Sequence, residues 1–150
     1  MENTLVLLKP DAIQRGLVGE LISRIERRGL KLTAIKLISV TREQAARLYA
    51  EHVDQPFYGD LTEYVTSSPL VAIVVEGEEA VALVRSLMGD TRPVDAAPGT
   101  VRGDYATSVS FNIIHGSDST DSAAREVDIF FADEEILSYD RGIDSWIIGP

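Results

Sequence analysis

Leu5-Val6-Leu7-Leu8, an unbroken apolar run, constrains the fold of this chain more than any other segment. A run with no polar member suits a strand buried on both faces. It ends abruptly at Lys9-Pro10-Asp11, where proline stops the ladder and charge appears at the strand's end. Leu70-Val71-Ala72-Ile73-Val74-Val75 is a second such run, and Leu32 to Val40 reads as a strand between the two. Leu17, Leu21 and Ile25, with Val18 and Ile22 beside them, form a helical stripe closed by Gly29. Val81, Val84 and Leu87 form another, closed by Gly89. Thr41-Arg42-Glu43-Gln44 has the spacing of a capping box and opens a helix through Tyr49. After a loop at Asp54, Gln55 and Pro56, a short helix is expected near Asp60 to Ser67. Asp90 to Ser110 lacks periodicity and reads as a long loop, a type that is usually functional or disordered. Beyond the turn Gly116-Ser117-Asp118-Ser119, a short helix runs to about Glu126, and Val127 to Phe131 reads as the last strand.

The order is therefore strand, helix, strand, two helices, strand, helix, strand. Strands this sparse fit an α+β layer better than a doubly wound sheet. The expected fold is a ferredoxin-like α/β sandwich: a four-stranded antiparallel βαββαβ sheet, helices on one face, and a helical hairpin inserted between the second and third strands. At 150 residues, one domain spanning 1–150 is expected. No apolar run is long enough for a membrane span, and the start lacks the basic and apolar regions of a secretory signal. Without cysteine there is no thiol chemistry, and a cytoplasmic location is expected.

A formal charge of −10 argues against a nucleic-acid partner, whose binding would rest on phosphate neutralisation. It leaves room for a small anion. Screening over roughly 8 Å at physiological salt lets a few clustered cations outweigh distant carboxylates. Neither a P-loop nor a G-x-G-x-x-G turn is present, so phosphate would have to be held by another arrangement.

Only two histidines exist. His52, beside Glu51, reads as a surface or capping residue. His115 follows the apolar pair Ile113-Ile114 and enters a polar turn, a context that suits a structural role and a catalytic one equally. Glu126, eleven residues on, offers a carboxylate to hold one imidazole nitrogen as N–H and free the other as a nucleophile. Lys9 is either an ordinary strand-terminal charge or a cation fixed at the sheet's edge. Arg85 falls in a helix's last turn, where a cation also suits the helix dipole. Arg102 stands in the constrained loop Pro98-Gly99-Thr100-Val101-Arg102-Gly103-Asp104, suited to bidentate phosphate contact. Phe57 reads as a core aromatic or a nucleobase platform.

Asn112-Ile113-Ile114-His115-Gly116-Ser117-Asp118 matches the N-x-x-H-G-S-D signature of nucleoside diphosphate kinases, and the resemblance covers nearly the whole chain. Lys9-Pro10-Asp11 with Gln14-Arg15-Gly16-Leu17 resembles the family's opening. Tyr49-Ala50-Glu51-His52 and Pro56-Phe57 resemble its nucleotide-gripping hairpin, and residues 98–104 its central loop. The resemblance implies a ferredoxin-like sandwich and reversible ping-pong transfer of the γ-phosphoryl group from a nucleoside triphosphate, typically ATP, to a nucleoside diphosphate. It implies His115 as the nucleophile that becomes phosphohistidine, Glu126 as its orienter and Ser117 as an assistant. Tyr49, Lys9 and Asn112 would support the transferred group. Arg85, Thr91 and Arg102 would bind phosphates bridged by Mg²⁺, which the nucleotide carries without protein ligands. Phe57 would stack on the base, with Leu61 lining the cleft. The family forms dimers that assemble into hexamers or tetramers, and the tail beyond Ser138, with Trp146, resembles that of hexameric members, which favours a hexamer over a tetramer. Two departures stand outside this chemistry: Arg92 where asparagine is usual, in a loop of subunit contacts, and Ser68 where glycine is common before Pro69.

Overall fold

The computed structural model describes residues 1–149. Its sheet comprises β1 (Glu2–Leu8), β2 (Lys31–Ile38), β3 (Leu70–Gly77) and β4 (Ile114–Gly116), antiparallel throughout in the order β2-β3-β1-β4. That is the expected βαββαβ arrangement. The helices are α1 (Pro10–Gln14), α2 (Val18–Arg27), α3 (Arg42–Leu48), α4 (Tyr58–Thr66), α5 (Ala80–Met88), α6 (Val101–Tyr105), α7 (Thr120–Phe130) and α8 (Asp144–Ile147). Among the described residues, no helix is long and apolar enough to cross a membrane.

The apolar run in β1 explains the layering. Val6 and Leu8 pack with Leu21 and Ile25 of α2 and Val84 and Met88 of α5. Leu5 and Leu7 point the other way, into a second core with Ala45 and Leu48 of α3, Val65 of α4, and Ile129 and Phe130 of α7. The expectation of helices on one face is thus corrected. The crossover helices α2 and α5 do share a face, but the inserted hairpin and α7 cover the other, because β1 and β3 have no polar side to give to water.

The capping box forms: the Thr41 hydroxyl accepts from Gln44 N at 3.0 Å and Gln44 Oε1 from Thr41 N at 3.0 Å. The last strand is not where the sequence placed it. Val127 to Phe130 completes α7, whose buried residues Ala123, Glu126, Ile129 and Phe130 keep helical spacing. A short apolar run is ambiguous between strand and helix, and here continuity from the Ser119 N-cap decides it. The fourth strand is the three-residue segment around His115. The long loop also contains a 3₁₀ turn, Pro93–Asp95, and α6.

Candidate functional site

His115 lies on β4 opposite Leu7 of β1 and so faces the α3/α7 layer. The following glycine is required by close packing. A Cβ at Gly116 would sit 2.5 Å from Met88 Sδ and 2.8 Å from Val84 Cγ1, so only glycine lets α5 press against this strand. On the opposite side, α7 turns Glu126 inward along its buried face. Glu126 Oε1 lies 2.7 Å from His115 Nε2. Burial works to raise the Glu126 pKa, but the hydrogen bond and charge of His115 outweigh it, and the carboxyl titrates below its usual range. A carboxylate fixes Nε2 as the protonated nitrogen and leaves Nδ1, which has no hydrogen bond among the described residues, with its lone pair free.

Lys9 follows β1 directly. Its backbone N–H donates to Ile113 O at 2.8 Å and its Nζ to Asn112 Oδ1 at 2.8 Å, while Asn112 Nδ2 reaches Thr91 O at 3.2 Å. Burial first, and then the charge of Arg102, push the Lys9 pKa down to about 8, against the opposing pull of Asp11. Arg102 is buried too. Its Nε, Nη1 and Nη2 donate to the carbonyls of Asn112, Gly89 and Ile114 at 3.2, 3.1 and 2.6 Å. Burial, together with the neighbouring Arg85, brings its pKa down to about 10, with Asp90 opposing. Arg85 itself is exposed and donates to Gly116 O at 3.2 Å. Among the described residues, none of these three cations has a carboxylate partner. Clustered cations that depress one another are costly without an anion, and the arrangement is suited to receive one.

One cleft of about 820 Å³ joins these groups. Every residue named from the sequence lines it except Ser117, which is buried. Among the described residues the Ser117 hydroxyl and Glu126 Oε2 make no hydrogen bond within ordinary limits, yet the hydroxyl dipole adds to the stabilisation of the carboxylate. The Tyr49 hydroxyl is likewise buried and, among the described residues, unpartnered, with its pKa raised by burial and by Glu126. At the hairpin, Phe57 is exposed, which excludes the core reading, and Leu61 is half-buried. His52, read as a surface residue, is exposed but also lines the cleft, its ring 5.5 Å from that of Phe57. Tyr64 and Phe111, packed edge to face at 5.2 Å, were not anticipated. Only the tertiary meeting of α4 with the segment before β4 brings them together, and no local pattern signals it.

A cleft that gathers unpaired cations around an imidazole with a free nitrogen has the composition of a phosphoryl-transfer site, and the class is that of the phosphotransferases. Comparison with known proteins narrows this to a family. The family model for nucleoside diphosphate kinase matches residues 2–136. The nucleoside diphosphate kinase of Listeria monocytogenes is 52% identical over 147 residues, covering 98% of this chain and 100% of that protein. The Archaeoglobus fulgidus enzyme is 51% identical, covering 98% and 97%. Among solved structures, a halophilic nucleoside diphosphate kinase from Halobacterium salinarum in complex with CDP superposes with a TM-score of 0.96 at 45% identity, covering 99% of each chain. A family protein from Babesia bovis gives 0.95 at 42%, covering 98% of this chain and 99% of that one. The chain belongs to the nucleoside diphosphate kinase family, which catalyses phosphoryl transfer between nucleotides and acts on nucleoside di- and triphosphates.

Proposed function

We propose that this chain transfers the γ-phosphoryl group of a nucleoside triphosphate, typically ATP, to a nucleoside diphosphate through a phosphohistidine at Nδ1 of His115. The observation that carries this reading is the 2.7 Å contact between His115 Nε2 and a buried Glu126 carboxylate. The Nδ1 lone pair forms a bond to the γ-phosphorus as the bond from phosphorus to the β–γ bridging oxygen breaks, and the diphosphate leaves with that electron pair. The imidazole gains positive charge, which Glu126 balances across the retained Nε2–H. In the second half, a terminal oxygen of an incoming diphosphate attacks the same phosphorus and the N–P electrons return to the ring.

Positioning and charge stabilisation are the main demands of such a reaction. Lys9, Arg85 and Arg102 supply cations, Thr91 and Asn112 polar contacts, and the buried Tyr49 hydroxyl and Ser117 support the reacting group and its histidine partner. Phe57 offers an exposed ring for a base, with Leu61 beside it. Mg²⁺ enters as part of the nucleotide substrate, neutralising its phosphates. The work is assigned to a cytoplasmic homo-oligomer, a hexamer, formed by one domain spanning 1–150. Exposed Ile35 and Leu37 on the edge strand β2 and Trp146 on the tail support assembly, and mass by light scattering tests it.

The activity test uses ATP labelled in the γ position with Mg²⁺. The protein should take up an acid-labile, base-stable label and release it as labelled GTP when GDP is added, while His115→Ala should do neither and remain folded. Labelling that survives in the His115→Ala protein would overturn the assignment.

A further inference from the structure

The segment that delivers His115 contains the most strained backbone near the site. Ile113 sits at φ 74°, a left-handed conformation that a β-branched residue adopts only under compulsion. Ile114 N donates back to Asn112 O at 2.8 Å, closing a three-residue γ-turn centred on Ile113. Turns of this form, with the central φ near about +75°, are rare and strained. Such a conformation persists only where its surroundings over-determine it. Here the surroundings can be read directly. Arg102 donates to the flanking carbonyls of Asn112 and Ile114, and Lys9 N donates to the carbonyl of Ile113 itself. One group remains, the Ile113 N–H, which the turn turns away from the sheet ladder. Its acceptor is Asp11 Oδ2, at 3.1 Å.

Beyond the pull of its charge on Lys9, Asp11 enters the site only through this bond. It lies in the first turn of α1, outside the residues lining the cleft. Its second oxygen accepts from the Tyr64 hydroxyl of α4, which fixes the carboxylate in rotation. Tyr64 in turn holds its ring 5.7 Å beneath Lys9 Nζ. The carboxylate thus joins three chain segments at the base of the cleft: the end of β1, the inserted hairpin and the turn before β4.

We propose that Asp11 is a positioning residue for phosphoryl transfer, holding the strained turn at Ile113 so that the Lys9–Asn112 pair and His115 keep their mutual placement. The role rests on the phosphohistidine reading above. Asp11 acts through the Ile113 amide and touches no substrate. The requirement is an acceptor oxygen at one position, and charge is secondary to it. Without that acceptor the turn relaxes, Asn112 and His115 shift against Lys9, and the reacting atoms lose alignment. Misplacement of about 1 Å costs on the order of 100-fold in rate.

Three variants separate placement from charge, measured by rapid-quench phosphorylation of His115 from labelled ATP at about pH 6.5, far enough below the native Lys9 value of about 8 to leave a margin for the further fall when the Asp11 charge is removed. Asp11→Asn keeps an acceptor in place and loses the charge; its rate should stay within about threefold of the native protein. Asp11→Glu keeps the charge and displaces the acceptor; its rate should fall at least about tenfold, as should that of Asp11→Ala, with nucleotide KM changed far less than kcat. Should Asp11→Ala fail to fold, the Asn and Glu pair decides alone. Rates for Asp11→Glu equal to native, or for Asp11→Asn as low as for Asp11→Glu, would overturn the proposal, as would a loss confined to KM. A native protein that takes no label at all refutes the phosphohistidine reading instead, and this role with it.

Discussion

Replacing Lys9 with methionine should make the protein more stable and nearly inactive. Lys9 is 7% exposed and its ammonium has no carboxylate partner among the described residues. Its pKa falls from 10.5 to about 8, chiefly through burial and then through Arg102. At about 1.36 kcal/mol for each pH unit, holding this group charged in the fold costs on the order of 3 kcal/mol. Methionine removes that cost and fills similar space. It also strips Asn112 Oδ1 of its donor at 2.8 Å, a loss of roughly 1–2 kcal/mol. The net gain at neutral pH is therefore about 1–2 kcal/mol, or roughly 2–8 °C in Tm for a chain of this size.

The pH dependence identifies the cause. Because the folded pKa lies below the unfolded one, the unfolded chain binds the proton more tightly between about 8 and 10.5, and native stability rises with pH across that window. The full penalty applies below about pH 8 and is gone above 10.5. Tyr49 and Tyr64, whose pKa values are raised mainly by burial, titrate in both proteins and cancel in the difference. Denaturant unfolding of the nucleotide-free proteins at matched concentration should thus show the advantage of Lys9→Met at pH 7 vanishing at roughly pH 9–10 and turning, above about pH 10.5, into a deficit of roughly 1–2 kcal/mol, the lost hydrogen bond to Asn112. Phosphoryl transfer should fall by about 10²–10³, the usual cost of losing one preorganised donor. A variant less stable than native at pH 7, or an advantage that ignores pH, would refute the reasoning.

Three further substitutions probe other parts of the site. Glu126→Gln retains a hydrogen-bond acceptor for His115 but loses its charge, and should slow single-turnover phosphorylation by about tenfold, the difference between a charged and a neutral hydrogen bond. Because the folded Glu126 pKa is lowered, its contribution to stability is present above the unfolded value and lost as pH falls through the folded one; the variant should show less of this acid-side loss. Arg102→Lys cannot reproduce a fork to three carbonyls and should cost on the order of 3 kcal/mol in urea unfolding, together with a raised nucleotide KM; native stability would count against the clamp. Gly103→Ala would drive a Cβ into the backbone carbonyl of Ala97, and a loss of about 1–3 kcal/mol in chemical denaturation is expected, whereas an unchanged midpoint would mean the loop yields freely.

Where sequence reading succeeded and failed follows from the range of the forces involved. β1, β3, α2 and α5 were legible because each carries its own apolar pattern, and α3 because Thr41 and Gln44 cap it locally. The end of α7 was misread because Val127 to Phe131 is too short for periodicity to separate strand from helix. β4 could not be seen at all: three residues have no period, and their strand geometry comes from pairing with β1. At the site, a motif resemblance supplied the residue names, but not their division of labour. Arg102 was read as a phosphate ligand, and three of its donors turn out to serve backbone carbonyls. Asp11 was visible only as part of the Lys9-Pro10-Asp11 segment and Tyr64 not at all, since their contacts with residues 111–113 span a separation no local rule reaches.

The shortness of β4 explains why so many polar groups converge there. A three-residue edge strand has one neighbour, and its ladder with Val6, Leu7 and Leu8 is too brief to fix the turn that precedes it. The turn is held instead by Arg102 on two carbonyls, by Lys9 on a third and by Asp11 on an amide. Of these, the Arg102 guanidinium is also a cation of the cleft, whereas Lys9 holds the Ile113 carbonyl through its backbone N–H and uses its ammonium on the Asn112 side chain. The backbone of the turn is therefore coupled to charge in the cleft directly through Arg102, and through the Lys9 ammonium only by way of the Asn112 side chain. In the free protein Arg85 disfavours the charged form of Arg102, and Arg102 that of Lys9, so the cation that clamps the turn is held against repulsion. A polyanion bound among them would offset that repulsion and stabilise their charged forms, which would strengthen the Arg102 clamp on the turn before His115.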